Sequence, residues 1–286
     1  MPGACLAAPR SRKRRCAPSA PRSVDSPNVP QKLLTAMRAQ AEGAGLNLFG
    51  LVDRARFDAC EPKERRIGAV AAQCGVVIVL GSGGRLLAEQ SERLRDSGRG
   101  TLPSAAEHAE NVVARLVAMM RGLGLGVRAL TFDGACRVRA ERLAEAAGLG
   151  VVSPVSGLLL HPEFGPWLRI RGAICCDGMP FGPIPDANLA ERFQPCVECA
   201  RPCVPACPAH DGDAAKVADR ARCADHRNRG GCADACSSRV ACPLGAEHAD
   251  HAGEHLHSHG VDLETLRRWQ GLGPWSLVPK ALRGGP

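Results

Sequence analysis

Between residues 196 and 209 the chain reads CVECARPCVPACPA, with thiols at Cys196, Cys199, Cys203 and Cys207 and a proline directly after the last. A second set, Cys223, Cys232, Cys236 and Cys242, again ends in Cys-Pro. Thiolates so spaced wrap backbone round a soft metal, and two such sets of four are what two [4Fe-4S] clusters require. In two-cluster ferredoxins the Cys-Pro of one set ligates the cluster of the other. The reading is therefore Cys196, Cys199, Cys203 and Cys242 on one cluster, with Cys223, Cys232, Cys236 and Cys207 on the second.

The spacing is looser than the usual C-x2-C-x2-C, because Ala200, Arg201 and Pro202 separate Cys199 from Cys203. Zinc held by two pairs of cysteines competes, but leaves both terminal Cys-Pro units unexplained. Disulfides compete too, yet they belong to short secreted chains with a signal peptide, and the basic stretch here has no apolar core after it. The other seven of the 15 cysteines, Cys5, Cys16, Cys60, Cys74, Cys136, Cys175 and Cys176, show no ligand spacing. Cys175 and Cys176 read as small core residues of an apolar strand.

Elements able to position these thiols precede them. QKLLTAMRAQAEGAG (31–45) has helical spacing and a glycine stop, LNLFGLVD reads as a strand, and GVVIVLGSGG (75–84) as strand and turn before a helix. That turn lacks both the third glycine of a dinucleotide fingerprint and the Gly-Lys-Ser/Thr of a P-loop, so it reads as a plain tight turn. Residues 105–124 form an amphipathic helix, 126–133 a strand, 137–150 a helix and 167–177 another strand. Alternation of this kind predicts a layered α/β domain over 31–190. The segmentation is a disordered basic tail over 1–30, the α/β domain, a ferredoxin-like module over 191–247, and a His-rich segment, short helix and tail over 248–286.

Charge excludes less than it suggests. The net +8 contains six cations, Arg10, Arg12, Lys13, Arg14, Arg15 and Arg22, ahead of the first acid at Asp25, so the remainder carries only +2. A basic folded nucleic-acid surface is not implied by that balance. No run approaches the ~18 apolar residues of a membrane span, and the expected location is the cytoplasm. In GAEHADHAGEHLHSHG, His248, His251 and His255 fall at helical spacing, either as a polar helix face or as imidazoles for a transition metal.

Residues 31–246 resemble the epoxyqueuosine reductase superfamily, on LNLFGLVD, GVVIVLGSGG, RLAEAAGLG with LLLHPEFGPWLRIRGAI, and the two cysteine sets with their fifteen-residue gap. FQPCVECARPCVPACP and GCADACSSRVACPLGAEH resemble a ferredoxin-like branch of it, in which the extra spacing residue is usual. The resemblance implies a nitroreductase-like α/β domain of the cobalamin-binding type followed by a two-cluster ferredoxin-like module. It implies electron flow through two [4Fe-4S] clusters to cobalamin, with a ferredoxin- or flavodoxin-type protein as donor and tRNA as a partner. TFDGACRVRAERLAEAAGLG places the proton donor of those enzymes at Asp133, whose alternative role is to cap a helix. His108 falls near the cobalamin-side Tyr-His pair of those enzymes; a place on the helix surface is its alternative. Where the enzymes carry Gly-Lys-Asn or Gly-Lys-His, this chain reads GVVSPVSGLLLHP. An electron carrier or binding module without its own substrate is the second functional expectation.

Overall fold

The computed structural model describes residues 29–98, 104–130, 132, 138–213, 215–217, 220–232 and 234–250. Helix α1, Val29–Gly43, begins inside the stretch expected to be tail, because Pro30 fits a first helical turn where no backbone donor is needed. The remainder of that tail expectation, residues 1–28, lies outside the described residues, as does the His-rich region beyond Asp250.

A sheet of four antiparallel strands forms the centre, in the order β1 (Leu48–Asp53), β2 (Cys74–Gly83), β6 (Leu168–Asp177), β3 (Val127–Leu130). Strand β2 explains why its sequence is apolar without alternation. Val76, Ile78 and Leu80 face one side with α1, α4 (Leu86–Asp96) and α5 (Ala105–Gly122), while Val77 and Val79 face the other with α2 (Arg54–Cys60), α3 (Ile67–Val70) and α6 (Ala140–Ala146). Both faces of the strand are covered, so every position must be apolar. All five of these side chains are fully buried, each worth about 1.5–3 kcal/mol against exposure. Helix α5 starts with a capping box between Ser104 and Glu107, which holds the Glu107 carboxyl below its usual range through the Ser104 backbone amide and then its hydroxyl.

The glycines after β2 serve packing. Gly83 shares two hydrogen bonds with the Asn47 amide side chain, at 2.7 and 3.0 Å, and the Gly84 amide donates to the Trp167 carbonyl. A Cβ at Gly83 would overlap the Phe164 ring. The turn's amides are thus committed within the fold.

Besides the short helices α2 and α3, two features were not foreseen in the sequence. One is a hairpin, β4 (Val151–Val152) with β5 (Leu159–Leu160), closed by the SPVSG turn. The other is a set of short helices, α7 (Leu189–Arg192), α8 (Arg220–Asn228) and α9 (Ser237–Val240), that carry the cysteine-rich segment. No helix among the described residues is long and apolar enough to cross a membrane.

Candidate metal centre

Cys196, Cys199, Cys203 and Cys242 line one cavity of about 480 Å³. Its remaining wall includes Ser153, Val155, Ser156 and Leu160 of the hairpin and Pro243 and Leu244 beside the last thiol. Four side chains far apart in sequence converge there for local reasons. The three early cysteines sit on a loop of consecutive turns, in which Val204 donates to the Arg201 carbonyl and Cys207 to the Val204 carbonyl. Helix α9 brings Cys242 alongside, because Ser238 Oγ donates to the Cys203 carbonyl at 2.9 Å and Cys242 N bonds back to Arg239.

The protonation chemistry of the thiols falls into the same groups. Burial pushes the Cys203 thiol up first, followed by the charges of Cys242, Cys196 and Cys199. Cys242 is raised by burial and then by Cys196 and Cys199, against a lowering hydrogen bond from the Leu244 amide. Cys223 is raised by burial first; Cys236, Cys207 and Cys232 also raise it, while Arg227 opposes. Cys207 therefore acts on the second set and Cys242 on the first. Thiols held up in this way release protons when a cation arrives, so metal uptake is coupled to pH.

Two ligand-set loops contain strained backbone. Arg201 has φ 57° and Cys232 φ 50°, in the left-handed region where side chains are crowded. Arg201 is one of the three residues that widen the Cys199 to Cys203 spacing, and its amide donates to Cys199 Sγ at 3.3 Å. The turn thus aims a backbone donor at a ligand sulfur. Arg201→Gly should relieve the left-handed strain, preserving metal content and raising stability by about 0.5–1 kcal/mol. Arg201→Pro, which removes the amide and forces φ negative, should cut metal content at least severalfold when metal per chain is measured after equal loading.

The hairpin meets the cysteine loop directly. Ser153 Oγ lies 3.3 Å from Cys196 Sγ, and the Val217 amide donates to the Val155 carbonyl. At the far end, His161 Nδ1 accepts from the amides of Glu163 and Phe164, fixing a turn whose Phe164 ring stacks on His161 and meets the edge of His248. Burial lowers the His161 pKa, which suits a nitrogen used as an acceptor. Arg169 pairs with Asp250 at 2.5 Å beside this contact.

The other expected site residues are placed less centrally. His108 lies on α5 with Nε2 3.0 Å from the Ala44 carbonyl, a tie between helices, and is not part of the cysteine cavity. Asp133 lies outside the described residues. His248 sits in a short 3-10 turn, Ala246–His248, while His251 and His255 are outside the described residues. Among the described residues no three His, Cys, Asp or Glu side chains gather tightly enough for a single metal ion. Cys74, Cys175 and Cys176 are buried free thiols between β2 and β6, and Cys60 is disulfide-bonded. Burial pushes Cys176 up to about 12, as expected of an inert core thiol.

These features define a three-layer α/β protein with a cysteine-rich segment folded against one hairpin. Solved structures of epoxyqueuosine reductase share this fold. One, in complex with an epoxyqueuosine-modified tRNA stem loop, aligns with TM-score 0.55 and 15% identity over 79% of this chain and 69% of its own. Another, from Bacillus subtilis with its catalytic loop swung out of the active site, gives 0.54 and 15% over the same shares. A selenomethionine-labelled form gives 0.53 and 14%, again over 79% and 69%. No family model matches the chain, and no curated protein matches it by sequence.

Proposed function

We propose that this chain is an iron-sulfur redox protein that relays single electrons through two [4Fe-4S] clusters toward an acceptor at the α/β domain. The observation that carries it is the single cavity lined by Cys196, Cys199, Cys203 and Cys242, in which the Cys-Pro cysteine of the second sequence set stands with three thiols of the first. Cys196, Cys199, Cys203 and Cys242 would hold one cluster, and Cys223, Cys232, Cys236 and Cys207 the second. The donor chemistry fits, for thiolate is the ligand such clusters take. The space supports it as well. One zinc at about 2.3 Å from each sulfur would draw four thiolates to a point, whereas these ring a cavity of about 480 Å³.

Such a cluster, when bound, accepts and returns one electron at a time. The chain's own part is to hold and insulate it. Val155, Leu160, Pro243 and Leu244 line the cavity beside the thiols and would limit water around a bound cluster, and the hairpin lies against the first group, so that transfer distance to the α/β domain would be short. Cobalamin as the acceptor rests on the fold resemblance, and among the described residues the side chains available to it are engaged elsewhere. His108 is tied to Ala44, and the hairpin hydroxyls bond to their own turn and to Cys196. No step of the proposal runs through a corrin. A ferredoxin- or flavodoxin-type donor would deliver electrons. A tRNA partner, like cobalamin, rests on the fold resemblance.

Anaerobic reconstitution with iron and sulfide tests the reading. About eight iron atoms per chain and a broad visible absorption that dithionite bleaches are expected. Colourless protein that binds zinc in preference to iron would falsify it. Cobalt retained after incubation with cobalamin and desalting separates the enzyme reading from that of a carrier without its own substrate.

A further inference from the structure

We infer that Ser153 sets the reduction potential of the cluster held by Cys196, Cys199, Cys203 and Cys242, by donating its hydroxyl proton to Cys196 Sγ. The inference rests on the cluster reading above and adds a residue outside the cysteine module. Ser153 is 3% exposed, so its hydroxyl cannot turn to water. Its oxygen accepts from the amides of Val155 at 3.2 Å and Ser156 at 3.0 Å. A hydroxyl has two acceptor positions and one proton, so both acceptor positions are filled. The proton remains, with Cys196 Sγ at 3.3 Å to receive it. A thiolate has no proton to offer in return, which fixes the direction of the bond.

The backbone holds this donor in place. Ser153 N donates to the Leu158 carbonyl and the Ser153 carbonyl accepts from Gly157, closing the turn on both sides. Pro154 has its own φ fixed and restricts the backbone of Ser153 before it, and the Val217 amide straps the turn at Val155. The hydroxyl is therefore preorganised and loses little freedom when the cluster is built.

Its effect on redox chemistry follows from charge. Reduction adds one negative charge to the cluster, spread partly over the ligand sulfurs, and a donor aimed at a sulfur stabilises that charge. Removing the donor disfavours the reduced state and lowers the potential. The residue thus positions charge without touching the electron's path.

The test is an EPR-monitored redox titration of the reconstituted full chain, compared with Ser153→Ala and Ser153→Thr. The alanine variant should lower one of the two midpoint potentials by about 59 mV, a tenfold change for a one-electron couple, and leave the other in place. The threonine variant, which keeps the hydroxyl, should restore it. Both clusters present with neither potential moved overturns the inference alone; a wild-type chain that takes up no cluster overturns the cluster reading and this inference with it. Should the alanine variant lose its first cluster, the wild-type protein decides. Pulsed EPR after exchange of nitrogen-15-labelled protein into heavy water should show, beside the deuterons of the Arg201 and Leu244 amides, one more strongly coupled deuteron at the first cluster that is not attached to nitrogen, from the Ser153 hydroxyl. Couplings from amide deuterons alone overturn the assignment.

Discussion

Cys242→Ala should remove the cluster whose three other ligands lie some forty residues earlier in the chain, and spare the cluster that holds Cys223, Cys232 and Cys236, its nearer neighbours in sequence. Iron should fall from about eight to about four atoms per chain, with one of two EPR-active centres lost. Cys207→Ala should give the complementary loss. The basis is geometric: Cys242 shares a cavity with Cys196, Cys199 and Cys203, and its thiol responds to Cys196 and Cys199. Cys207 instead perturbs Cys223. The uncrossed alternative, with each set completing its own cluster, predicts the reverse pairing of losses. A second substitution identifies which signal survives, and Cys223→Ala provides it. Cys242→Ala combined with Cys223→Ala should abolish both centres, while Cys242→Ala with Cys203→Ala should be no worse than either alone. Loss of both centres in the Cys203 and Cys242 double variant would remove the crossed arrangement.

Much of the frame was readable from residue pattern. The run GVVIVLG could only be a strand covered on both faces or a buried helix turn, and the glycines after it decided for the strand. The stripe Val112, Leu116, Met119 or Met120 and Leu123 announced α5; Val112, Leu116 and Met120 are buried against the sheet, whereas Leu123, just past the helix end, is exposed. What pattern could not supply were contacts made by few residues over long separations. Helices α2 and α3 are too short to show a period, and the hairpin at 151–160 has strands of only two residues each. Ser153 carries no signal of its own, since its role appears only when Cys196 lies beside it. The departure from Gly-Lys-Asn at that point looked like a loss, yet the same segment supplies the wall of the cysteine cavity. The widened Cys199 to Cys203 spacing likewise has a physical use, in the Arg201 amide aimed at sulfur.

Gly165→Ala should have nearly the same consequence for the first cluster as loss of Cys242 itself, although residue 165 belongs to the α/β domain and binds no metal. Gly165 has φ 54° and Gly245 φ 64°, and the two backbones lie directly against one another. A Cβ at Gly165 would overlap the Leu244 carbonyl, and one at Gly245 would overlap the backbone of Phe164. Neither obstacle is the end of a flexible side chain, so the segments must separate. The left-handed φ alone costs an alanine about 1–2 kcal/mol, and displacement of packed backbone should bring the total to about 3 kcal/mol or more. Gly182→Ala isolates the first part, because Gly182 has φ 72° and an added methyl group there would meet nothing within 4 Å. For a folded body of this size it should lower Tm by about 2–4 °C per kcal/mol, and Gly165→Ala by at least twice as much as Gly182→Ala. The decisive readout is the metal. Leu244 and Gly245 follow Cys242-Pro243 directly, so pushing them off the α/β domain withdraws the fourth thiolate from the cavity while Cys207, Cys223, Cys232 and Cys236 keep their places. Selective loss of the first cluster in Gly165→Ala, with Gly182→Ala retaining both, is the expected result. Equal retention in the two variants would mean that the cysteine module closes its first site without the α/β domain, and that the backbone contact serves docking alone.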